Sequence, residues 1–386
     1  FIQMVVSGLI DGYVFCKDMG DVCLTDVTGT VIIEYIVTDD SSPFPDTGLA
    51  VFKESYYPDS LGQILIHGLG EVAFDYFTKQ KIPISGMEVV EEDNHLYITC
   101  YVYDANGNSI AHFNQGFYYS NCRTNIVSTR LCDTFLNRRS EFKIREEQWV
   151  FVSFMLREKS FKIGVSYIEN NCARYSMMDI GPEFSLGIMS GGHAVYPIGV
   201  SYAISKLKEL NNIEISPDKV LYIDAYLYKN GELKDKIHAE VDRTYYSNIQ
   251  HFIYFNCFGL PETLYFTGKD ERSTELNASY GSVVGSYLKM HTDLITSHTV
   301  NTGYINENVR DCVEDMVYSS KVYLYEGDKL GDLVTITEVD FMESKPRTEP
   351  LNIKLTYRVA DKCQRNFARG KLRENIFDKT FDSTFD

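Results

Sequence analysis

Apolar and polar residues alternate along much of this chain. Over residues 96–103, Leu96, Ile98 and Cys100 fall on one side of an extended strand, and Tyr97, Thr99, Tyr101 and Tyr103 fall on the other. Asn106-Gly107 follows. A type I′ hairpin turn needs positive φ at both central residues, which this pair supplies. Further strand-like runs lie at 31–37, 63–66, 149–156, 162–168, 333–339 and 351–359. Helical spacing is sparse. Residues 203–210, ahead of Asn211-Asn212, form one candidate. Residues 309–318 form another, with Val309, Cys312, Val313 and Met316 on one stripe.

The strand pattern is duplicated. Leu96-Tyr97-Ile98-Thr99-Cys100-Tyr101-Val102-Tyr103 is matched by Leu221-Tyr222-Ile223-Asp224-Ala225-Tyr226-Leu227-Tyr228, and each run leads to an Asn-Gly. Downstream, Tyr118-Tyr119-Ser120-Asn121 is matched by Tyr245-Tyr246-Ser247-Asn248. The offsets, Leu96 to Leu221 and Tyr118 to Tyr245, are 125 and 127 residues. That period is too long for a solenoid and suits tandem domains. Val322-Tyr323-Leu324-Tyr325-Glu326-Gly327 is a weaker echo.

Short strands between turn clusters predict sandwiches. The chain is therefore expected to be mainly β: tandem immunoglobulin-like or fibronectin-like β-sandwich domains, a third β-rich domain and a C-terminal tail. The expected boundaries are an N-terminal segment 1–24, a first sandwich 25–135, a basic connector 136–147, a second sandwich 148–262, a third β-rich domain 263–361 and a tail 362–386. The tail opens with Lys362, Arg365, Arg369, Lys371 and Arg373 and ends in an FDxT repeat. Its Phe377, Phe381 and Phe385 are spaced by four, either as a helical stripe or as anchors of an extended segment. They are the candidate interface residues, packing on their own domain or on a neighbour.

Composition narrows the function. The 28 Tyr and 23 Phe against a single Trp, Trp149, strengthen the β reading. A net charge of −17 disfavours broad contact with nucleic acid or an anionic membrane, because phosphates recruit Lys and Arg. No apolar run approaches the ~20 residues of a transmembrane helix. The nine cysteines are scattered, without a CxxC pair or zinc spacing, and predict reduced thiols made in a reducing compartment. The opening Phe1-Ile2-Gln3-Met4-Val5-Val6 lacks the basic start of a signal peptide, and a first residue other than Met leaves a removed leader open.

Signals of chemistry are thin. His291 and His298 are the one histidine pair whose spacing invites a metal, while His112 and His238 occupy similar places in the two repeats and read as structural. Gly191-Gly192-His193 reads as a glycine turn, lacking the strand-to-helix context of a phosphate loop. Gly281-Ser282-Val283-Val284-Gly285 lacks the spacing of a nucleophile elbow. Asp104, Asn106 and Asn108 imitate the start of a calcium loop, but the glycine is misplaced, so a hairpin turn is expected. The acidic run Glu88, Glu91, Glu92, Asp93 reads as a solvated loop, and Asn277-Ala278-Ser279 matches a glycosylation acceptor. No catalytic, cofactor or metal residue is assigned.

The repeated Tyr-rich unit, the segment Asn256-Cys257-Phe258-Gly259-Leu260-Pro261-Glu262-Thr263 and the FDxT ending together resemble virion structural proteins of tailed bacteriophages of Bacteroides-like hosts, of the tail, ring or baseplate kind. The resemblance implies a non-enzymatic building block, assembled in the host cytoplasm with copies of itself and other virion proteins, and without direct nucleic-acid contact. The alternative is an exported tandem-sandwich binding module at the cell surface, such as an adhesin or glycan-binding protein. A third reading is an enzyme whose site lies on sandwich loops.

Overall fold

The computed structural model describes residues 4–38, 49–77, 81–92, 95–124, 133–155, 159–181, 192–283, 286–341 and 351–360. Phe377, Phe381, Phe385, Gly191, Cys132 and Cys363 lie outside them. The first unit holds β1 (Val5–Ser7), β2 (Tyr13–Phe15), β3 (Val22–Thr25), β4 (Val31–Thr38), β5 (Leu49–Tyr56), β6 (Ile64–Ile66), α1 (Leu69–Tyr76), β7 (Val90–Glu92), β8 (His95–Asp104) and β9 (Ser109–Tyr118). The second holds β10 (Glu141–Ile144), β11 (Phe151–Met155), β12 (Lys159–Glu169), β13 (Cys172–Asp179), β14 (His193–Pro197), α2 (Val200–Asn211), β15 (Val220–Lys229) and β16 (Glu232–Val241). The third holds β17 (Gln250–Phe255), β18 (Pro261–Phe266), β19 (Asp270–Val283), β20 (Ser286–Asn301), α3 (Glu307–Tyr318), β21 (Val322–Glu326), β22 (Lys329–Phe341) and β23 (Ile353–Val359). The chain is mainly β with sandwich-like layers, as its alternation predicts.

The duplication is a duplication of topology. The first large sheet runs β5-β4-β8-β9-β2 and the second β13-β12-β15-β16-β10. Each ends in a short parallel strand, β2 on β9 and β10 on β16. The third sheet begins with the same order, β18-β17-β21-β22, then continues β23-β20-β19. A helix precedes the last hairpin of every unit. The echo at 322–327 thus marks a third copy of the pattern, with the antiparallel strand β23 where the others have a parallel one.

The alternation sets the cores. Leu96, Ile98, Cys100 and Val102 of β8 are buried with Leu69 and Ala73 of α1 and with β3 and β6 of the small sheet β1-β3-β6. Ile223, Ala225 and Leu227 of β15 are buried with Val200, Ala203 and Leu207 of α2 and with β11 and β14. Cys312, Val313 and Met316 of α3 are buried under the third sheet, so the predicted stripe is the packed face. Asn230-Gly231 forms the predicted turn, with φ of 53° and 78°. The Asp104–Asn108 hairpin differs. Its Asp104 carboxylate accepts from the Asn106 and Asn108 N–H groups, and a bulge follows.

Several boundaries move. Residues 4–25 carry β1, β2 and β3 and belong to the first unit, because their apolar side chains enter its core. Residues 136–147 include β10, a member of the second sheet, because its backbone pairs with β16. β17 and β18 fall within 148–262 or straddle its end, yet they pair with each other and β17 pairs with β21 of the third unit. β7 joins β14 in the sheet β11-β14-β7, so Glu91 and Glu92 lie in a strand that ties the first two units together.

A further core lies where the units meet. Phe15, Tyr118, Leu136, Trp149, Phe151, Val195, Ile253, Leu260 and Tyr325 form one buried cluster drawn from all three. Trp149 stacks on Tyr325 (centroids 4.6 Å apart), and its Nε1 donates to the Gly327 carbonyl at 2.7 Å. Gly86 lies against the indole, where an added Cβ would come within 2.6 Å of Cδ1. The segment 256–263 completes the junction. Asn256 Oδ1 accepts from the Phe258 and Leu260 N–H groups, and its Nδ2 donates to Leu136 O (2.9 Å) and Glu262 Oε1 (2.7 Å). Phe258 packs on Phe15, and Thr263 Oγ1 donates to the Trp149 carbonyl. The most specific stretch of the sequence is thus a structural turn.

Trp149→Ala is expected to cost about 3–5 kcal/mol in urea unfolding, the range for an emptied aromatic core site. Gly86→Ala should destabilise through overlap with the same ring. A second expectation concerns acid. His193 is buried and meets Tyr118 edge-on, and burial, then His95 and Lys159, push its pKa down to about 3. Above its unfolded pKa near 6.5 it is neutral in both states. Between pH ~6.5 and ~3 the unfolded chain binds a proton that the fold refuses, so stability falls by up to ~1.4 kcal/mol per pH unit. Urea midpoints of the wild type should therefore drop more steeply than those of His193→Gln over that window. Parallel profiles would count against the assignment.

Candidate functional site

β19 and β20 form a long antiparallel ribbon paired from Asp270↔Val300 to Val283↔Ser286. Among the described residues, backbone pairing with another strand, β23, is confined to His298–Asn301, and Arg358 Nε of β23 donates to Ser297 Oγ at 2.9 Å. From Ser273 and Ser297 outward it has no other strand beside it among the described residues, about 37 Å of strand at ~3.4 Å per residue. Leu276 and Leu294 are directly paired and more than half exposed, as is Tyr280. Thr274 and Thr296 hydrogen-bond across the same face at 3.3 Å. From Ser273 to Tyr280 every side chain but the half-buried Ala278 is exposed, so this stretch carries no buried face.

A cleft of ≈ 440 Å³ opens at the ribbon's base, between the second and third units. Lys143, His238, Glu240, Tyr246, Tyr265 and Tyr304 line it, and Thr267 and Thr302 lie where the ribbon begins and ends. The Thr267 hydroxyl donates to Thr302 O and the Thr302 hydroxyl to Gly303 O, so neither is turned toward His238 as a nucleophile would be. Asp242 Oδ2 accepts from the Tyr246 and Tyr265 hydroxyls at 3.1 and 3.3 Å.

His238 reaches the cleft from a network on the outer face of the second sheet. Asp224 is buried there and binds His238 Nδ1 (2.6 Å), Lys236 Nζ (3.2 Å), Tyr226 OH (3.0 Å) and Tyr175 OH (3.2 Å). Burial raises its pKa, but the hydrogen bonds from His238, Lys236 and Tyr226 outweigh this and hold it below the usual carboxylate range. Tyr175 arrives from β13 by crossing β12 at Gly164, where any Cβ would strike its hydroxyl. The first sheet uses the same device: Gly116 makes room for Tyr13 and Tyr97, whose hydroxyls meet.

The residues that the sequence singled out do not converge. His291 and His298 are separated by seven residues of one strand, about 24 Å, so they cannot share a metal ion. His112 lies opposite Tyr101, whereas His238 lies opposite Asp224, the counterpart of Thr99. The two histidines are therefore two residues out of register in the repeat. His193 is buried in the junction sheet, and Asn277 is exposed midway along the ribbon. Among the described residues no cluster of His, Cys, Asp or Glu could hold a metal ion, and no helix is long and apolar enough to cross a membrane. The ribbon is invisible to sequence reading because strands exposed on both faces show no apolar alternation.

No protein-family model and no curated protein matches the chain. Among solved structures it is similar to the native conformation of E. coli alpha-2-macroglobulin, determined by cryo-EM, at 8% identity and a TM-score of 0.20. The match covers 94% of this chain and 21% of that one, and a likeness this loose carries no argument.

Gly164→Ala should expel Tyr175 from the Asp224 network and cost about 1–3 kcal/mol in urea unfolding, as overpacking does. Tyr175→Phe keeps the ring and should cost about 0.5–1.5 kcal/mol. Equal, negligible losses would show that the crossing is incidental.

Proposed function

We propose that the chain is a non-enzymatic structural subunit of a bacteriophage virion, of the tail, neck, ring or baseplate kind, acting through interfaces with copies of itself and other virion proteins. The observation that carries this reading is the exposed ribbon of β19 and β20. A two-stranded hairpin is marginal alone in water. Its open edges present unpaired N–H and C=O groups, a template for strand addition. The Leu276–Leu294 pair adds an apolar contact that a neighbouring copy would cover. The third unit's own core, with Val300 of β20 and Leu355 of β23, gives the ribbon a firm base.

The cleft at the ribbon's base favours a second reading, a binding module for a small ligand such as a glycan. Light scattering separates the two. The full chain should run as a multimer. Replacing residues 274–296 by an Asn-Gly turn should yield a monomer with an unchanged unfolding profile, and Leu276→Asp with Leu294→Asp should weaken assembly at least about tenfold, given the burial of two Leu side chains. A strictly monomeric full chain that binds a glycan in the cleft would sink the structural reading.

A further inference from the structure

We propose that Cys122 and Cys257 form a peroxide-sensitive thiol pair that closes into a disulfide between the first and third units. Cys122 follows β9, and Cys257 sits in the 256–263 turn. Their segments are joined next to the pair, with the N–H of Asn121, the residue before Cys122, donating to the Cys257 carbonyl at 2.9 Å. Their thiols are near enough to perturb one another, and both are free. Both segments are held in place. Thr124 N–H donates to Asp18 Oδ1 at 2.8 Å, and Asn256 fixes the turn.

The two sulfurs differ in setting. Cys122 is half-buried and lines an open cleft of ≈ 370 Å³ beside Lys17 and Arg123, so a small oxidant can reach it. Cys257 is buried. The neighbouring Cys257 thiol holds the Cys122 thiol below its ordinary pKa, while Cys122, then burial, holds Cys257 above its own. The cleft exposes Cys122 and not Cys257, so Cys122 is the nucleophile that meets the oxidant and Cys257 the resolving thiol. Cys16 lines the same cleft, but its thiol donates to Tyr118 O, and burial pushes its pKa up to about 12.

The chemistry balances with a hydroperoxide as oxidant. Cys122 sulfur attacks one peroxide oxygen. The S–O bond forms as the O–O bond breaks, and the departing alkoxide or hydroxide takes a proton. Cys257 sulfur then attacks Cys122 sulfur, the S–S bond forms, and hydroxide leaves with the Cys257 proton as water. The two thiols lose two electrons and the peroxide gains them.

The test uses the full-length reduced protein with stoichiometric hydrogen peroxide, followed by alkylation and peptide mapping. The expected main product is a peptide pair linked through Cys122 and Cys257. Cys122 should be lost about tenfold faster than the exposed Cys172, given its thiolate character. In Cys257→Ser, Cys122 should stop at a sulfenic acid that dimedone traps, with no linked peptide. Cys122 and Cys172 consumed at equal rates, or a main product without the 122–257 link, would overturn the proposal. The result does not depend on the assembly reading, since the pair lies within one chain.

Discussion

The stacking of Trp149 on Tyr325, with Gly86 close against the indole, is the contact on which the arrangement of the three units depends. Tandem β units joined by loops ordinarily keep separate cores and move relative to one another. Here a fourth core lies between them, with Phe15 and Tyr118 from the first, Trp149 and Phe151 from the second, and Ile253 and Tyr325 from the third. Strand exchange reinforces it, because β7 completes a sheet with β11 and β14. Asn256 then uses both ends of its side-chain amide to hold the turn that closes the junction.

The repeats share an order of strands and diverge in what they insert. The first two units insert short strands that cover their own sheets. The third inserts a ribbon that leaves its sheet behind. An architecture of this kind separates two tasks. The shared junction supplies rigidity, and the insertion that buries little of itself is the surface on which the proposed assembly rests.

Much of the fold is legible in the residues. The alternation in 96–103 and 221–228 marks the buried faces of β8 and β15, and the stripe of 309–318 marks the packed face of α3. Three features are not legible, each for a physical reason. α1 begins after the left-handed Gly68 and holds Gly70 against the Cys16 carbonyl, so its glycines read as turn signals. β10 reads as part of a basic linker because Arg138 and Arg139 are charged, yet Arg138 pairs with Asp315 at 3.2 Å and Arg139 is buried. The Asp224 network needs Tyr175 to cross a strand at Gly164, a contact that no sequence spacing encodes. The candidate interface residues Phe377, Phe381 and Phe385 fall outside the described residues, so the proposed interface is argued from the ribbon instead.

The central claim is that the three repeats are welded into one body by the core around Trp149. Scanning calorimetry of the full-length chain tests it most directly. The account predicts a single transition whose calorimetric and van't Hoff enthalpies agree, because no unit can unfold without exposing the junction. Two or three separated transitions, each with the enthalpy of one unit, would contradict it.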